Sequence, residues 1–415
     1  MRIDADTAAA ETALTELYQL VRAAGGAFRP DATVVVRDGA IRVTAEGAPE
    51  GGGDAGRLLQ VPTACLPALA PDGLGVDGES FVLAGERPNE PDTARTALDA
   101  MRTLYNACGK AAAWRVTSPW LTLARDPALL AALADLRAGN PKTDGYRALA
   151  ERGAWDRLLV DSFLGTRLFR LPPASADGQG DPASGEPVLM PFIDFLNHDF
   201  RARPYGVTAD ADGVRRLWSQ DDRPTPDGRE CRVLYTVLDP LDSLLFYGFV
   251  DETAPVMRSA PVEIALPEDV RITVNAGASS AFRGELPATL EDVRLFVPPA
   301  QACEGAHLTL PWLLLPGPGS PWALRRVLRA LIYALCPEMT ETARRAAVAS
   351  AEEQVLQGNR AALDRAGDAL AAARTASPAD PPAGRSAALD AVAHALARQR
   401  ARLDAYCERL GLSLL

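Results

Sequence analysis

The chain has 415 residues, with 43 Lys and Arg against 54 Asp and Glu and a formal net charge of −11. Single hydrophobic cores stop growing beyond about 250–300 residues, so the length predicts more than one domain, and the 47% apolar content excludes wholesale disorder. The acidic balance argues against nucleic acid as a partner, and no apolar run reaches the roughly 18–20 residues that span a bilayer.

The first residues, MRIDADTAAAE, are acidic and lack an apolar core, so no secretory signal is expected. Residues 7–24 place Leu14, Leu17, Tyr18 and Val21 at helical spacing, with Gly25 and Gly26 as the stop. ATVVVRDGAIRVTA then predicts two strands around an Asp38-Gly39 turn. Residues 48–56 form a Gly-rich acidic loop before the short strand RLLQVP. Residues 93–170 are expected to be mostly helical, and residues 172–187 a mobile loop. From 188 to 265 the pattern is that of strands, and the last third returns to helix, broken by Pro and Ser at 375–388. Strands, inserted helices, strands, then helices make an α+β chain rather than an alternating βα one.

Six cysteines, at 65, 108, 231, 303, 336 and 407, show no CxxC spacing, and the three histidines (198, 307, 394) are scattered. No metal site is expected, and free buried thiols suit a reducing cytoplasm. Abundant Ala, Arg, Gly and Pro with scarce Lys fit a GC-rich bacterial genome. No GxGxxG follows a strand pattern, and P-loop, zinc-protease and serine-hydrolase motifs are missing from the sequence. Trp114, Trp120, Trp155 and Trp312 are expected to pack, His307 to sit on a surface or strand edge, and His394 on a polar helix face. The Arg-rich tail ARQRARLDAYCERL is expected to be a solvated helix face.

Two segments stand out. MPFIDFLNHDF sets Asp194, Asn197 and His198 inside an apolar stretch, where polar groups are costly unless hydrogen-bonded. VLYTVLDPLDSLLFYGFV sets Tyr235 and Tyr247 in apolar surroundings. Singly, the first is equally a structural turn or a ligand site, and tyrosines in such runs are usually core.

Together, PFIDFLNH followed by a Tyr-bearing stretch and LLFYGFV resembles the SET-domain methyltransferases, in particular the subgroup of the plant Rubisco large-subunit lysine methyltransferase. RLLQVP, the helices of 93–160, WDRLLVDSFLGTRLF and the C-terminal helices follow that family's order, so the resemblance covers most of the chain. It implies a β-rich SET-like lobe over residues 1–265 with a helical insertion at about 90–165, and a C-terminal helical substrate-binding domain over 266–415. By the same resemblance, Tyr247, Tyr235 and Tyr205 are catalytic, Asn197, His198 and Arg167 hold S-adenosylmethionine, and Asp194 and Phe249 line the substrate side. The implied activity is methyl transfer to an amine, foremost a protein lysine, without a metal.

The chemistry suits those residues. A lysine amine, with an ordinary pKa near about 10.4, must lose its proton before it attacks, and a water-poor channel favours the neutral form. Tyrosines supply rigid walls and a hydroxyl to orient the amine. Alignment of this kind is worth roughly 7–11 kcal/mol. The chain also departs from the family. Ile41 and Arg42 stand where a Gly lets the backbone approach the donor, which implies a blocked or reshaped donor pocket. Thr236 follows the first motif Tyr in place of Gly, Pro240 replaces an Asn, Thr166 replaces a Ser, and Asp199 follows the Asn-His pair. These departures keep open a repurposed SET-like enzyme acting on a small molecule or natural-product intermediate, and a binding protein without methyl transfer. The sequence carries no signal of oligomeric state.

Overall fold

The computed structural model describes residues 1–46, 57–69, 73–85, 91–171, 185–209, 213–220, 230–277, 285–299, 302–304, 306–376 and 383–410. The loops expected at 48–56 and most of 172–187 lie outside these. The chain is α+β and divides into two compact units, Met1–Arg115 with Trp155–Tyr235, and Val116–Ala154 with Thr236–Leu415.

In the first unit, the Ala8–Ala23 helix starts at Thr7, whose hydroxyl caps the Ala10 N–H, and buries Leu14, Leu17 and Val21 as its spacing requires. The expected hairpin forms from Ala32–Arg37 and Ala40–Ala45. Its turn holds both central residues at positive φ, Asp38 at 50° and Gly39 at 74°, the geometry that matches strand twist. The N-terminal strand Arg2–Ala5 pairs parallel with Ala32–Arg37, giving a three-stranded sheet. A second sheet runs in the order Gly206–Ala209, Arg215–Gln220, Arg57–Pro62, Ala27–Phe28. The helix Asp92–Ala107 packs on Ala8–Ala23, and Trp155–Gly165 leads into the antiparallel pair Leu168–Leu171 and Glu186–Leu189. Residues 168–171 are therefore strand where helix was expected: the helix ends at Gly165, and the chain beyond it pairs with Glu186–Leu189.

In the second unit, the sequence reading needs two corrections. The stretch 240–247, taken as strand, is the helix Pro240–Tyr247. It is buried on every side but its last turn, so no amphipathic period marks it, yet its punctuation is present: Asp239 as N-cap, Pro240 at the first position, and Gly248 at φ 75° closing it. The last third also contains strands before its helices. Val262–Ala265, Arg271–Val274, His307–Leu310 and Ala302–Glu304 form one sheet, and Val256–Arg258 pairs with Leu314–Pro316. Three helices follow, Ala323–Leu335, Glu341–Thr375 and Arg385–Leu410. His307 opens an edge-proximal strand and lies exposed beside Thr273 Oγ1 at 2.8 Å, and His394 faces Glu252 at 3.0 Å. Trp114, Trp120 and Trp312 are buried; Trp155 is exposed, at the first turn of its helix. Cys65, Cys108, Cys336 and Cys407 are buried free thiols, and Cys231 is buried as well. No helix among the described residues is long and apolar enough to cross a membrane.

The Pro240–Tyr247 helix is held by a buried charge network. Asp239 Oδ1 accepts from the Leu241 and Asp242 N–H groups, while its Oδ2 accepts from Arg137 Nη2 at 2.6 Å and the Arg258 N–H at 2.7 Å. Asp242 takes Arg137 Nε on one oxygen at 2.6 Å and Arg258 Nε on the other at 2.7 Å. All four side chains are at most 3% exposed. Both carboxylates thus have every oxygen occupied, and the two guanidinium groups hold the Asp242 carboxyl below its ordinary pKa against the cost of burial. Removing one partner strands an unpaired buried charge, so Arg137→Met is expected to lower the unfolding free energy by about 3–5 kcal/mol in urea at pH 7. A depressed carboxyl stabilises the fold above its unfolded pKa and loses that contribution as pH falls through it. The gap between wild type and Arg137→Met should therefore narrow below about pH 4; a gap that widens there contradicts the charge assignment.

Candidate functional site

The segment that carried the polar residues folds as a tight turn in the first unit. Phe192 has φ 64°, which costs a bulky residue about 1–2 kcal/mol. The ring offsets this by full burial, edge-on to Phe28 at 4.9 Å and to Phe195 at 5.6 Å. The turn of Ile193–Phe195 follows, with the Asp194 N–H donating to the Met190 carbonyl at 2.9 Å. The chain then enters the two-residue strand Asn197–His198, paired parallel with Arg232–Val233. Two bonds from Tyr235 fasten this pair. Its hydroxyl donates to the Leu196 carbonyl at 2.8 Å, and its N–H donates to His198 Nδ1 at 3.2 Å. The two rings lie 5.2 Å apart.

Asp194 points into a polar cluster. Tyr105 donates its hydroxyl to Asp194 Oδ2 at 2.6 Å, and Arg167 Nε stands 3.4 Å from the same oxygen. The Arg167 guanidinium lies over Phe163 at 4.0 Å and near the Tyr105 ring at 5.6 Å, and it also bonds Thr166 Oγ1. Burial raises the Asp194 pKa to about 6, opposed by Arg167, by the Tyr105 hydroxyl and by Lys110. Burial lowers Lys110 to about 8, helped by Arg167 and opposed by Cys108 and Asp194. The hydroxyls of Tyr105 and Tyr235 are pushed up, chiefly by burial and then by the Asp194 charge. Tyr205 rises to about 12 for the same two reasons, its ring edge-on to Phe169 at 5.0 Å.

Asn197 is exposed and donates its side-chain amide to Glu230 Oε1 at 2.5 Å. Glu230 also lines an open groove of about 720 Å³ on the face of the three-stranded sheet, with Arg2, Asp4, Arg42, Thr44 and Glu46. The two residues that stand at the expected Gly position part company. Ile41 turns into the core at 9% exposure, while Arg42, on the opposite face, forms part of the groove wall. Asp199 pairs with Arg201 at 2.9 Å, which holds its carboxyl below the ordinary value. Among the predicted residues, the first unit thus gathers Asp194, Arg167, Tyr235 and His198, with Tyr205 within reach of the Asp194 charge and Asn197 at the end of the turn. Tyr247 and Phe249 belong to the second unit, at the last turn of Pro240–Tyr247 and just past it, their rings 6.3 Å apart. Sequence reasoning missed Tyr105, Lys110 and Glu230. Tyr105 and Lys110 flank a helix junction with no motif, and only the contrast of Lys110 with an Arg-rich chain signals it. No group of His, Cys, Asp or Glu among the described residues is arranged to hold a metal.

No family model and no curated protein matches the chain. Solved structures that resemble it include the SET domain of LSMT bound to lysine and AdoHcy, at 12% identity and TM-score 0.41 over 96% of this chain and 92% of that one. The same domain bound to methyl-lysine and AdoHcy gives 14% identity and TM-score 0.39 over 96% of each chain. Rubisco LSMT bound to AdoMet gives 13% and 0.39, over 96% of this chain and 92% of that one. At that distance the chain's own residues must carry any functional reading.

The raised Asp194 carboxyl has a stability consequence of the opposite sign to Asp242. Between about pH 4 and 6 the folded chain keeps a proton that the unfolded chain has released, so this group's contribution falls as pH rises and levels off above about 6. Asp194→Asn removes that slope. Its thermal stability relative to wild type is expected to improve by on the order of 3 kcal/mol from pH 4 to pH 7. A pH-independent difference in calorimetric melting would refute the assignment.

Proposed function

We propose that this chain transfers a methyl group from S-adenosylmethionine to an amine, foremost a protein lysine. The observation that carries the reading is the fastening of Leu196–His198 to Tyr235, which joins the two segments on which the resemblance to SET-domain methyltransferases rests. Asn197, His198 and Arg167 would hold the donor. The donor's charges suit residues of this unit: a sulfonium cation with an amino-carboxylate tail would find a carboxylate and a guanidinium at Glu230 and Arg42 in the groove, and another such pair at Asp194 and Arg167. When bound, the donor supplies a methyl on a sulfonium that departs as a neutral thioether.

The protein's own part is to keep the acceptor amine neutral and aligned. Tyr235 and Tyr205 form walls whose hydroxyls stay protonated, being raised by burial and by Asp194. Asp194, tuned to about 6, is ionised at neutral pH and takes up a released proton more readily than an exposed carboxylate. Tyr247 is assigned to orient the amine lone pair, with Phe249 on the substrate side. A second reading, a small-molecule acceptor in a repurposed SET-like enzyme, draws on the charged groove face around Arg42, where the family has Gly.

Calorimetry with S-adenosylmethionine tests the reading. Micromolar binding is expected, weakened about tenfold or more in Asn197→Ala, consistent with loss of about 1.4 kcal/mol; no heat at millimolar donor refutes it. With an acceptor in hand, Tyr247→Phe is expected to lower kcat by about 10²-fold with KM little changed. Unchanged turnover removes Tyr247 from the mechanism.

A further inference from the structure

Tyr105 is the member of the Asp194 cluster that no motif announced. It lies in the last turn of the Asp92–Ala107 helix and is 2% exposed. Its place is fixed from two sides. The next residue, Asn106, clamps the Ser80–Leu83 strand: Asn106 Oδ1 accepts from the Phe81 N–H at 2.8 Å, and its Nδ2 donates to the Phe81 carbonyl at 2.9 Å. The Tyr105 ring stands edge-on to Phe81 at 6.5 Å and to Phe163 at 5.2 Å. Phe163 is a shared shelf, since the Arg167 guanidinium lies over it at 4.0 Å. From this shelf a phenol and a guanidinium converge on one oxygen: Tyr105 donates to Asp194 Oδ2 at 2.6 Å, and Arg167 Nε stands 3.4 Å from it.

The other oxygen is left out. Among the described residues Asp194 Oδ1 accepts no hydrogen bond, although the side chain is only 6% exposed. The structural carboxylates of this chain are built otherwise: Asp239 and Asp242, also buried, have every oxygen occupied. Burial of a carboxylate is repaid only when its lone pairs are used, so an open oxygen held in one orientation suits a ligand's N–H. Tyr105 decides which oxygen is open. Without the phenol, the carboxyl is free to turn about its Cβ–Cγ bond and offer either oxygen to Arg167.

We propose that Tyr105 is a positioning residue of the proposed reaction, acting through Asp194: it pins Oδ2 beside Arg167 and leaves Oδ1 to receive a proton from the acceptor amine. This deepens, and rests on, the methyl-transfer reading above. The N–H bond breaks and an O–H bond forms at Oδ1, the nitrogen keeps the electron pair it needs for the methyl, and the acid returns its proton to water. The groups acting on Asp194 are Arg167, Tyr105 and Lys110, and its own charge reaches Tyr205 and Tyr235. Arg167 and Lys110 are cations, so the cluster favours a neutral amine over an ammonium ion. The phenol transfers no proton itself, because burial and the Asp194 charge hold it protonated.

Nuclear magnetic resonance of the full chain, grown with isotope-labelled aspartate, tests this. The Asp194 carboxyl signal is identified by its loss in Asp194→Asn. Its titration midpoint is expected to rise by about one unit in Tyr105→Phe, because the donor that favours the ionised form is gone. Phe keeps the ring packing, and circular dichroism checks the fold. Next, n-butylamine is added at about pH 8 as the probe for a lysine side chain, with tetramethylammonium as the control that has charge but no N–H. The amine is expected to shift the signal in wild type and to need about tenfold higher concentration in Tyr105→Phe; the control shifts neither. An unmoved midpoint, an amine response equal in the two proteins or absent from both, or an equal response to the control overturns the proposal. With donor binding seen by calorimetry, any of those results removes this role and leaves the reading above standing. If no donor binds, both fall.

Discussion

The first unit's site depends on Tyr235 holding two strands that are too short to hold themselves. Asn197–His198 and Arg232–Val233 are two residues each, and a parallel pair of that length offers few backbone bonds, each worth only about 0.5–1.5 kcal/mol net. Tyr235 adds a hydroxyl bond to Leu196 and an N–H bond to His198, one on each side of Asn197. The imidazole is thereby committed: Nδ1 accepts, so the neutral ring carries its proton on Nε2. The same two bonds fix the exit of the turn whose other end is braced by the buried, left-handed Phe192. Asp194 lies between these two supports, which is why a short loop can aim a carboxylate inward.

Two aspartates illustrate how partner geometry decides protonation. Asp194 and Asp242 are both buried, and burial pushes each toward the neutral acid. Asp242 receives two guanidinium groups, one on each oxygen at 2.6 and 2.7 Å, and ends below its ordinary pKa. Asp194 has one guanidinium at 3.4 Å on an oxygen it shares with a phenol, and ends near 6. The first arrangement is structural, with no valence left over and a charge fixed at any physiological pH. The second is incomplete and close to its titration point, the condition in which a carboxyl can exchange a proton.

The parts of this chain written in local pattern were legible. The Asp38-Gly39 hairpin follows from turn stereochemistry and the first helix from 3.6-residue spacing, while PFIDFLNH stood out by its polar residues in an apolar run although its turn lay within a stretch read as strand. What escaped depends on partners far apart in sequence. Arg137 looks like any helix-terminal arginine until Asp239 and Asp242 arrive a hundred residues later, and Lys110 acquires its character from burial and then from the distant Arg167 charge. Pro240–Tyr247 was hidden for a different reason. A helix buried on nearly all sides has no polar stripe, so periodicity says nothing and only Asp-Pro at its start and Gly at its end betray it.

The strand Ala40–Ala45 shows why the missing glycine is not one substitution within an unchanged pocket. Side chains alternate along a strand, so Ile41, Val43 and Ala45 form one surface and Arg42 and Thr44 the other. The first surface is core. The second shares one groove with Arg2 and Asp4 of the strand beyond Ala32–Arg37 and with Glu230 of the later segment. A glycine on such a strand would give the backbone to a ligand. Arg42 gives a guanidinium instead, beside the Glu230 carboxylate that already holds Asn197. Any ligand on this face would meet charge rather than bare backbone. A ligand carrying both signs satisfies it better than an apolar one, because an apolar group seated there would strip water from Arg42 and Glu230 and return no hydrogen bonds.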